Sequence, residues 1–353
     1  MSKTKDLLDR IKSGNATWSD YSKFLELGVN DLEPYFNLAY KITLQNFGNQ
    51  LKIYTPNKRF PAISITGSEC ALGCEHCDKK YLKGMKPLQN NADLENYLTE
   101  LSKNNGVGAL ISGGCDPDGA VPLIDFIDTV KKVKDQTNLV INVHTGLLNE
   151  ETAKKLADAN VDIISFDINM DNEVIKDIYH LNKDLDDYKR AVSLIKKYNL
   201  NIIPHICVGL YYGRLHKELE SIKFLKEIKP SLIVIIALIP PKSSKEYKKM
   251  KFETPNPVDI AKIVATIRFL FPYTEISLGC MRPRKNLKIE IEKYAVRAGI
   301  TRIENPSKKT ISWMKKRNPK VNFKFYSACC AIPKKFEKFA ESSEKEIKRY
   351  LNN

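Results

Sequence analysis

Short apolar runs rich in Val and Ile alternate with amphipathic stretches over residues 61–310 of this 353-residue chain. Each run has the length and composition of a β-strand. The stretches between the runs, such as DLENYLTELSK and VPLIDFIDTVKKV, repeat their apolar positions at helical spacing. The pattern predicts eight strands, at 62–66, 108–112, 139–144, 162–168, 201–207, 232–238, 275–280 and 299–304.

The order strand, helix, strand determines the expected fold class. A helix that connects two neighbouring strands of one sheet makes those strands parallel. Eight such units predict an α/β fold, a TIM-type (β/α)8 barrel over residues 61–310, and an open barrel of six units with extra elements is the alternative. We expect residues 1–60 to form an N-terminal helical extension. Residues 311–353 should form a C-terminal tail that carries a cysteine pair and ends in an amphipathic helix packed on the barrel.

The cysteines follow the predicted strands in a consistent way. Functional residues of a parallel barrel gather at the carboxyl ends of its strands. One cysteine alone is often only a small buried apolar residue. Here the first strand is followed by Cys70, Cys74 and Cys77, the second by Cys115, the fifth and seventh end in Cys207 and Cys280, and the tail carries Cys329 and Cys330. We therefore expect thiols to meet at the barrel mouth.

The three cysteines after the first strand are spaced C-x3-C-x2-C. Three thiolates on one loop can bind three irons of a [4Fe–4S] cluster and leave the fourth iron open. A zinc site is the alternative, although zinc sites usually pair C-x2-C knuckles and close with a fourth ligand nearby. The segment resembles the signature of the radical S-adenosylmethionine (SAM) superfamily, in which SAM chelates the open iron and is cleaved to a 5′-deoxyadenosyl radical. His76 stands where that family has an aromatic residue or histidine.

The same resemblance implies further SAM-binding residues. Gly113 and Gly114, in SGGCDPDG, are similar to a Gly-Gly-Glu element that contacts the methionyl group, with a cysteine in place of the acid. Asp167 and Asn169 alternate on one face of the fourth strand, in a region that serves the ribose hydroxyls. Gly209, in CVGLYYG, resembles a segment that lines the adenine. Tight turns and strand-end hydrogen bonds are the plain alternatives for these residues.

Part of the chain is similar to biotin synthase. The resemblance includes INVHTGLLNEETAKKLADANVDIISFDI, and Arg282 matches the inward-facing arginine of that enzyme. His144 and Ile203, however, occupy positions at which biotin synthase has cluster-binding cysteines. Loss of those thiols removes the ligands of the [2Fe–2S] sulfur source, so dethiobiotin is not the expected substrate.

The combination of SGGCDPDG, LGCMRPR and a late CCA is most similar to biotin-synthase-like archaeal proteins that include the subunits of two-subunit lipoyl synthase. This resemblance implies sulfur insertion into protein-bound octanoyl-lysine, with an electron donor and a second radical SAM subunit. It also implies an auxiliary Fe–S cluster, for which we expect Cys115, Cys280 and one or both of Cys329 and Cys330 as ligands, with Cys207 in reserve. A methylornithine-synthase-like mutase and an RNA-modifying enzyme are the alternatives.

The net charge of +15 and the isoelectric point near 9.2 favour an acidic partner, here an octanoylated carrier protein. A solvated lysine-rich surface is the alternative, and the chain shows no RNA-binding motif, so nucleic acid is not the expected partner. No apolar run approaches the ~20 residues of a membrane span. The charged start MSKTKDLLDRIKSGN lacks a hydrophobic signal region, and eight free thiols suit a reducing interior. We expect a cytoplasmic protein.

Overall fold

The computed structural model describes residues 2–241 and 251–352. Its strands are β1 (Gln50–Tyr54), β2 (Ala62–Ser64), β3 (Lys86–Pro87), β4 (Gly108–Ser112), β5 (Val140–His144), β6 (Ile163–Asp167), β7 (Ile202–Val208), β8 (Leu232–Ala237), β9 (Glu275–Leu278), β10 (Arg302–Glu304) and β11 (Asn322–Tyr326). Its α-helices are α1 (Ser2–Lys12), α2 (Trp18–Glu26), α3 (Glu33–Phe47), α4 (Asn91–Lys103), α5 (Ile127–Gln136), α6 (Glu150–Asp158), α7 (Leu185–Lys197), α8 (Glu218–Ile228), α9 (Pro257–Leu270), α10 (Asn286–Arg297), α11 (Lys308–Arg317), α12 (Glu337–Ala340) and α13 (Glu344–Asn352).

All strands belong to one curled parallel sheet, in the order β11-β1-β10-β9-β8-β7-β6-β5-β4-β2-β3. The eight predicted strands occupy eight consecutive places, from β10 to β2, so the prediction of a TIM-type α/β fold is confirmed. Three short strands extend the sheet beyond them. Strand pairing within the described residues ends at β3 and β11, which leaves the curled sheet open between these edges.

The two faces of the sheet bury different side chains because successive residues of a strand point to opposite sides. Ile141 and Ile164 belong to the large apolar core shared with the surrounding helices. Their neighbours Val140 and Ile163, together with Ile203, belong to a second apolar cluster that includes residues 328–332 of the C-terminal tail. The inner face of the curled sheet thus packs around the tail.

Buried ion pairs fix the tail inside the sheet. The Arg302 guanidinium is fully buried and donates hydrogen bonds to the carbonyl oxygens of Cys330, at 3.3 Å, and Ile332, at 2.6 Å. The Glu337 carboxylate accepts from Arg302 at 2.9 Å and from Lys52 at 2.7 Å. Breaking a buried pair leaves an uncompensated charge and costs about 3–5 kcal/mol. These contacts hold residues 330–337 against the start of β10.

The end of the chain departs from the predicted continuous amphipathic helix. The amide of Ser342 donates to the carbonyl of Phe325 at 3.0 Å, which adds this segment to the edge of β11. Ser343 then accepts a hydrogen bond from the amide of Glu346 and starts α13. The break turns Phe339 outward, where 62% of the residue is exposed.

No helix in the described ranges has the length and apolarity to cross a membrane.

Candidate active site

The loop that follows β2 carries Cys70, Cys74 and Cys77 at the carboxyl end of the sheet. The Cys70 sulfur accepts a hydrogen bond from the amide of Cys115, at 3.2 Å, in the loop after β4. The Cys74 thiol donates to the carbonyl of Tyr179 at 3.5 Å. All three cysteines are half-buried. Neighbouring segments therefore hold the three thiols on one loop, as the sequence predicted.

The pKa values of these thiols reflect their burial and their contacts with one another. The hydrogen bond from the Cys115 thiol lowers the pKa of Cys70 to about 5, and the same contact raises the pKa of Cys115. Burial raises the pKa of Cys74 to about 12 and also raises the pKa of Cys77. Metal binding by such thiols releases protons and removes the repulsion between thiolates. A set of thiolates without other side-chain ligands is a donor set of iron–sulfur clusters and also of zinc sites.

Close contacts with the cysteine loop explain why the SGGC element has a glycine at position 114. A Cβ atom at Gly114 would lie 2.0 Å from the carbonyl oxygen of Glu69 and 2.6 Å from the Cα atom of Cys70. Its amide donates to the Thr66 hydroxyl at 2.7 Å, and a Cβ atom at Gly113 would lie 3.0 Å from that hydroxyl. The glycine pair thus allows the loop after β4 to touch the cysteine loop. Contact with the methionyl group of SAM stays a prediction.

Two buried polar atoms near this loop have no hydrogen bond within 3.5 Å among the described residues: His76 Nδ1, and Asn169 Nδ2, whose amide lies near the Tyr188 hydroxyl. Burial lowers the pKa of His76 to about 4, so its ring is neutral, and it packs on Tyr179 with 5.2 Å between ring centroids. Asp167 ends β6, two residues before Asn169, and is exposed. Orphaned buried polar atoms indicate an absent polar partner. Together with the three thiols, they fit a [4Fe–4S] cluster with SAM bound.

The local backbone explains why residue 209 is a glycine. Its φ of +80° is a backbone conformation that favours glycine, and a Cβ atom there would lie 2.6 Å from the ring of Pro255. Its amide donates to the buried carboxylate of Glu218 at 2.8 Å. The turn after β7 therefore requires this glycine without a ligand, and the adenine-lining role stays a prediction.

A second group of cysteines meets at the ends of β9 and β10. The sulfur atoms of Cys329 and Cys330 and one carboxylate oxygen of Glu304 lie within 4.8 Å of one another. The thiols of Cys280 and Cys330 both hydrogen-bond the Glu304 carboxylate, whose pKa burial raises to about 6. The structure thus brings together three of the four cysteines proposed for an auxiliary cluster. The sequence analysis missed Glu304, although this acid ends the eighth predicted strand.

The remaining predicted residues lie elsewhere. Cys115 contacts Cys70, in the first group of thiols. Arg282 lies beyond the end of β9 at Leu278, in the loop that precedes α10. The Arg282 guanidinium is buried and donates to the Glu292 carboxylate at 2.6 Å and to the Glu304 carbonyl at 2.7 Å. It joins the loop after β9 to α10 and β10.

Cys207 lies on β7, and its partly buried side chain packs on the apolar cluster of Val174 and Ile178. Burial raises the pKa of its thiol well above the ordinary value. A protonated thiol in apolar surroundings behaves as a small hydrophobic residue. Cys207 therefore has a packing role that is independent of both groups of cysteines.

The comparisons with known proteins agree with this geometry. Residues 64–228 match the family model of the radical SAM superfamily. The chain is 23% identical to the biotin synthase of Methanococcus aeolicus over 256 residues, which cover 69% of this chain and 75% of the relative. It is 24% identical to the biotin synthase of Bacillus cytotoxicus over 289 residues, 78% of this chain and 81% of the relative.

Two solved structures share the fold at low sequence identity. HydG, a maturase of the [FeFe]-hydrogenase, gives a TM-score of 0.65 at 18% identity and covers 86% of this chain and 68% of its own. Methylornithine synthase (PylB) gives a TM-score of 0.60 at 17% identity and covers 84% and 85%. The prediction is confirmed at this level: residues 64–228 match the radical SAM superfamily, and the chain is similar to biotin synthases. The family implies a [4Fe–4S] cluster and SAM.

Removing the three thiols of the cysteine loop should abolish SAM cleavage. We expect Cys70→Ala, Cys74→Ala and Cys77→Ala, combined, to reduce 5′-deoxyadenosine formation under dithionite to background, because no cluster remains to pass the electron. Chromatography of the quenched reaction measures the product, and Cys207→Ala is the control. Continued cleavage by the triple variant would show that the cluster is bound elsewhere.

A side chain at Gly114 should disturb the cysteine loop. Gly114→Ala forces a methyl group into the backbone at Glu69 and Cys70, an overpacking that costs about 1–3 kcal/mol. We expect lower iron occupancy after anaerobic reconstitution, read from metal analysis and the visible absorbance of the cluster. Gly73→Ala, in the same loop, meets no atom within 4 Å and is the matched control. Equal iron occupancy in the two variants would contradict the close contact.

Proposed function

We propose that this protein is a subunit of an archaeal-type lipoyl synthase and inserts sulfur into protein-bound octanoyl-lysine. The observation that carries the proposal is the convergence of Cys280, Cys329 and Cys330 on Glu304 at the mouth of a radical SAM sheet. A radical SAM enzyme that only rearranges carbon skeletons has no need for this second set of thiols. An enzyme that forms C–S bonds needs a sulfur source close to the radical's target.

The first group of residues would generate the radical. Cys70, Cys74 and Cys77 would hold the [4Fe–4S] cluster, and Asn169 and His76 would offer polar atoms to SAM. When bound, the cluster and SAM supply a 5′-deoxyadenosyl radical, which is reactive enough for an unactivated C–H bond. The half-buried loop limits access of water to this region.

The second group would hold the auxiliary cluster. Three thiols and one carboxylate provide four protein ligands at the ends of β9 and β10. Tyr81 lies near the sulfur atoms of Cys207, Cys77 and Cys280, and burial raises its pKa. One cysteine of each group thus lies near Tyr81, as sulfur insertion at a shared mouth would require.

The inner face of the sheet argues against dethiobiotin as the substrate. Ile203 is fully buried in the apolar cluster around the tail, at a position where the resemblance implies a cysteine in biotin synthase. The ring of His144 packs against that of His205, at a second such position. Neither residue offers a thiolate, so the sulfur source specific to biotin synthase lacks two of its ligands.

The substrate would enter from the carboxyl ends of the strands. The tail packs inside the curled sheet and carries Cys329 and Cys330 to Glu304, so an octanoyl chain would have to reach this second group from the strand ends. Lys83, Arg284 and Lys285 are exposed on the loops that carry the two groups of cysteines. With the net charge of +15, they would favour an acidic carrier domain and raise its encounter rate. A second radical SAM subunit and an electron donor complete the proposed system.

Mass spectrometry of an octanoylated carrier peptide tests the function. The peptide is incubated with the reconstituted protein, a candidate partner subunit, SAM and reductant, and we expect a mass gain that matches added sulfur. Alanine at positions 280, 329 and 330 should remove this gain while 5′-deoxyadenosine still forms, because only the second group is lost. Formation of 5′-deoxyadenosine serves as the internal control for folding and for the first cluster.

Two outcomes would contradict the lipoyl assignment. Abundant 5′-deoxyadenosine with an unmodified peptide would show that the radical acts on another substrate, and turnover of a small amino acid would favour a mutase. Sulfur insertion at an unchanged rate in the 280, 329 and 330 variant would show that the second group is not the sulfur source.

A further inference from the structure

Three further metal-binding side chains converge on the inner face of the sheet, outside both groups of cysteines. His144 ends β5, Asp167 ends β6 and His205 lies on β7. One imidazole nitrogen of each histidine and one carboxylate oxygen of Asp167 lie within 4.8 Å of one another. The two rings are 5.3 Å apart between centroids and meet edge to face.

The register of strand pairing brings these three side chains together. Asp167 and His205 are direct partners in the β6–β7 register. His144 pairs with Ser165, which lies two residues before Asp167 and therefore on the same face of β6. The three side chains thus project from adjacent strands of one parallel sheet. Sites built on strands hold their geometry better than sites built on loops.

A backbone contact orients the His205 ring. Its Nδ1 atom lies 3.0 Å from the carbonyl oxygen of Ile203. A carbonyl oxygen only accepts hydrogen bonds, so Nδ1 carries the hydrogen and Nε2 keeps its lone pair. Histidines that bind metals commonly donate the other ring N–H to a backbone carbonyl in this way. His205 is only 8% exposed, so burial and this contact restrict the ring before any ligand binds.

We propose that His144, Asp167 and His205 bind one divalent transition-metal ion on the inner face of the sheet. Two imidazoles and one carboxylate are the protein ligands of many catalytic Zn²⁺ sites and of Fe²⁺ facial triads, which keep open positions. Asp167 is exposed, so the open positions face the lumen and can take an oxygen, nitrogen or sulfur atom of a substrate. Asp167 then binds metal instead of the SAM ribose, which leaves Asn169 for that role. This inference does not depend on the lipoyl assignment.

Cobalt(II) serves as the probe, added to the full chain after its iron–sulfur clusters have been reconstituted, so that cluster-binding thiols are occupied. Equilibrium dialysis with metal analysis counts the retained cobalt, and the visible spectrum reports its ligands. We expect one cobalt per chain, with weak bands of nitrogen and oxygen coordination and no thiolate charge-transfer band. His205→Gln should weaken cobalt binding by at least roughly tenfold. Replacing even a residue that only hydrogen-bonds a metal ligand lowers metal affinity 10- to 100-fold.

His144→Gln provides a second variant, because His144 is less buried than His205 and its replacement disturbs packing less. His216→Gln is the matched control, since His216 belongs to a separate group with Asp171 and Glu173. Thermal unfolding verifies that each variant is folded. The proposal is overturned if the wild-type chain retains no cobalt, if both triad variants retain as much as the wild type, or if His216→Gln alone removes it.

Discussion

The buried charge of Arg302 is the constraint on which the second group of cysteines depends. A guanidinium without solvent contact must be paired and hydrogen-bonded within the protein. Arg302 achieves this with the Glu275 and Glu337 carboxylates and with two carbonyl oxygens of the tail. The pairing draws residues 330–337 into the curled sheet. Glu304, two residues further along the same strand face, then meets the thiol of Cys330.

The parallel sheet supplies the rest of the arrangement. Loops after β2 and β4 bring Cys70 and Cys115 together, and the ends of β9 and β10 bring Cys280 to Glu304. Because all strands run in one direction, every such residue lies at the same end of the sheet. The curl places the first and last of these strands around one lumen, so the proposed radical-generating group and the proposed second group of ligands would face the same substrate.

The sequence was informative wherever periodicity or spacing decided the outcome. Alternating apolar runs predicted the eight central strands, and the C-x3-C-x2-C spacing predicted the loop of three thiols. Contacts between distant segments were not predictable in this way. No local sequence feature indicates that the Cys115 amide donates a hydrogen bond to the Cys70 sulfur or that Arg282 pairs with Glu292. The same holds for the hydrogen bonds that the Glu304 carboxylate accepts from two thiols.

One buried polar residue did leave a weak signal. His205 lies within a largely apolar predicted strand, where a buried position requires a partner. The predicted final helix is present as α13, but pairing with β11 interrupts the helical segment at 341–342, and helical periodicity carries no information about that partner.

The number and identity of the iron–sulfur clusters test the central claim most directly. Mössbauer spectroscopy and iron and sulfide analysis of the anaerobically reconstituted protein should show two separate clusters. Alanine at positions 70, 74 and 77 should leave the signal of one cluster, and alanine at 280, 329 and 330 should leave the other. A single cluster in the unaltered protein, or loss of all iron in the 70, 74 and 77 variant while the fold is retained, would contradict a second site at Glu304.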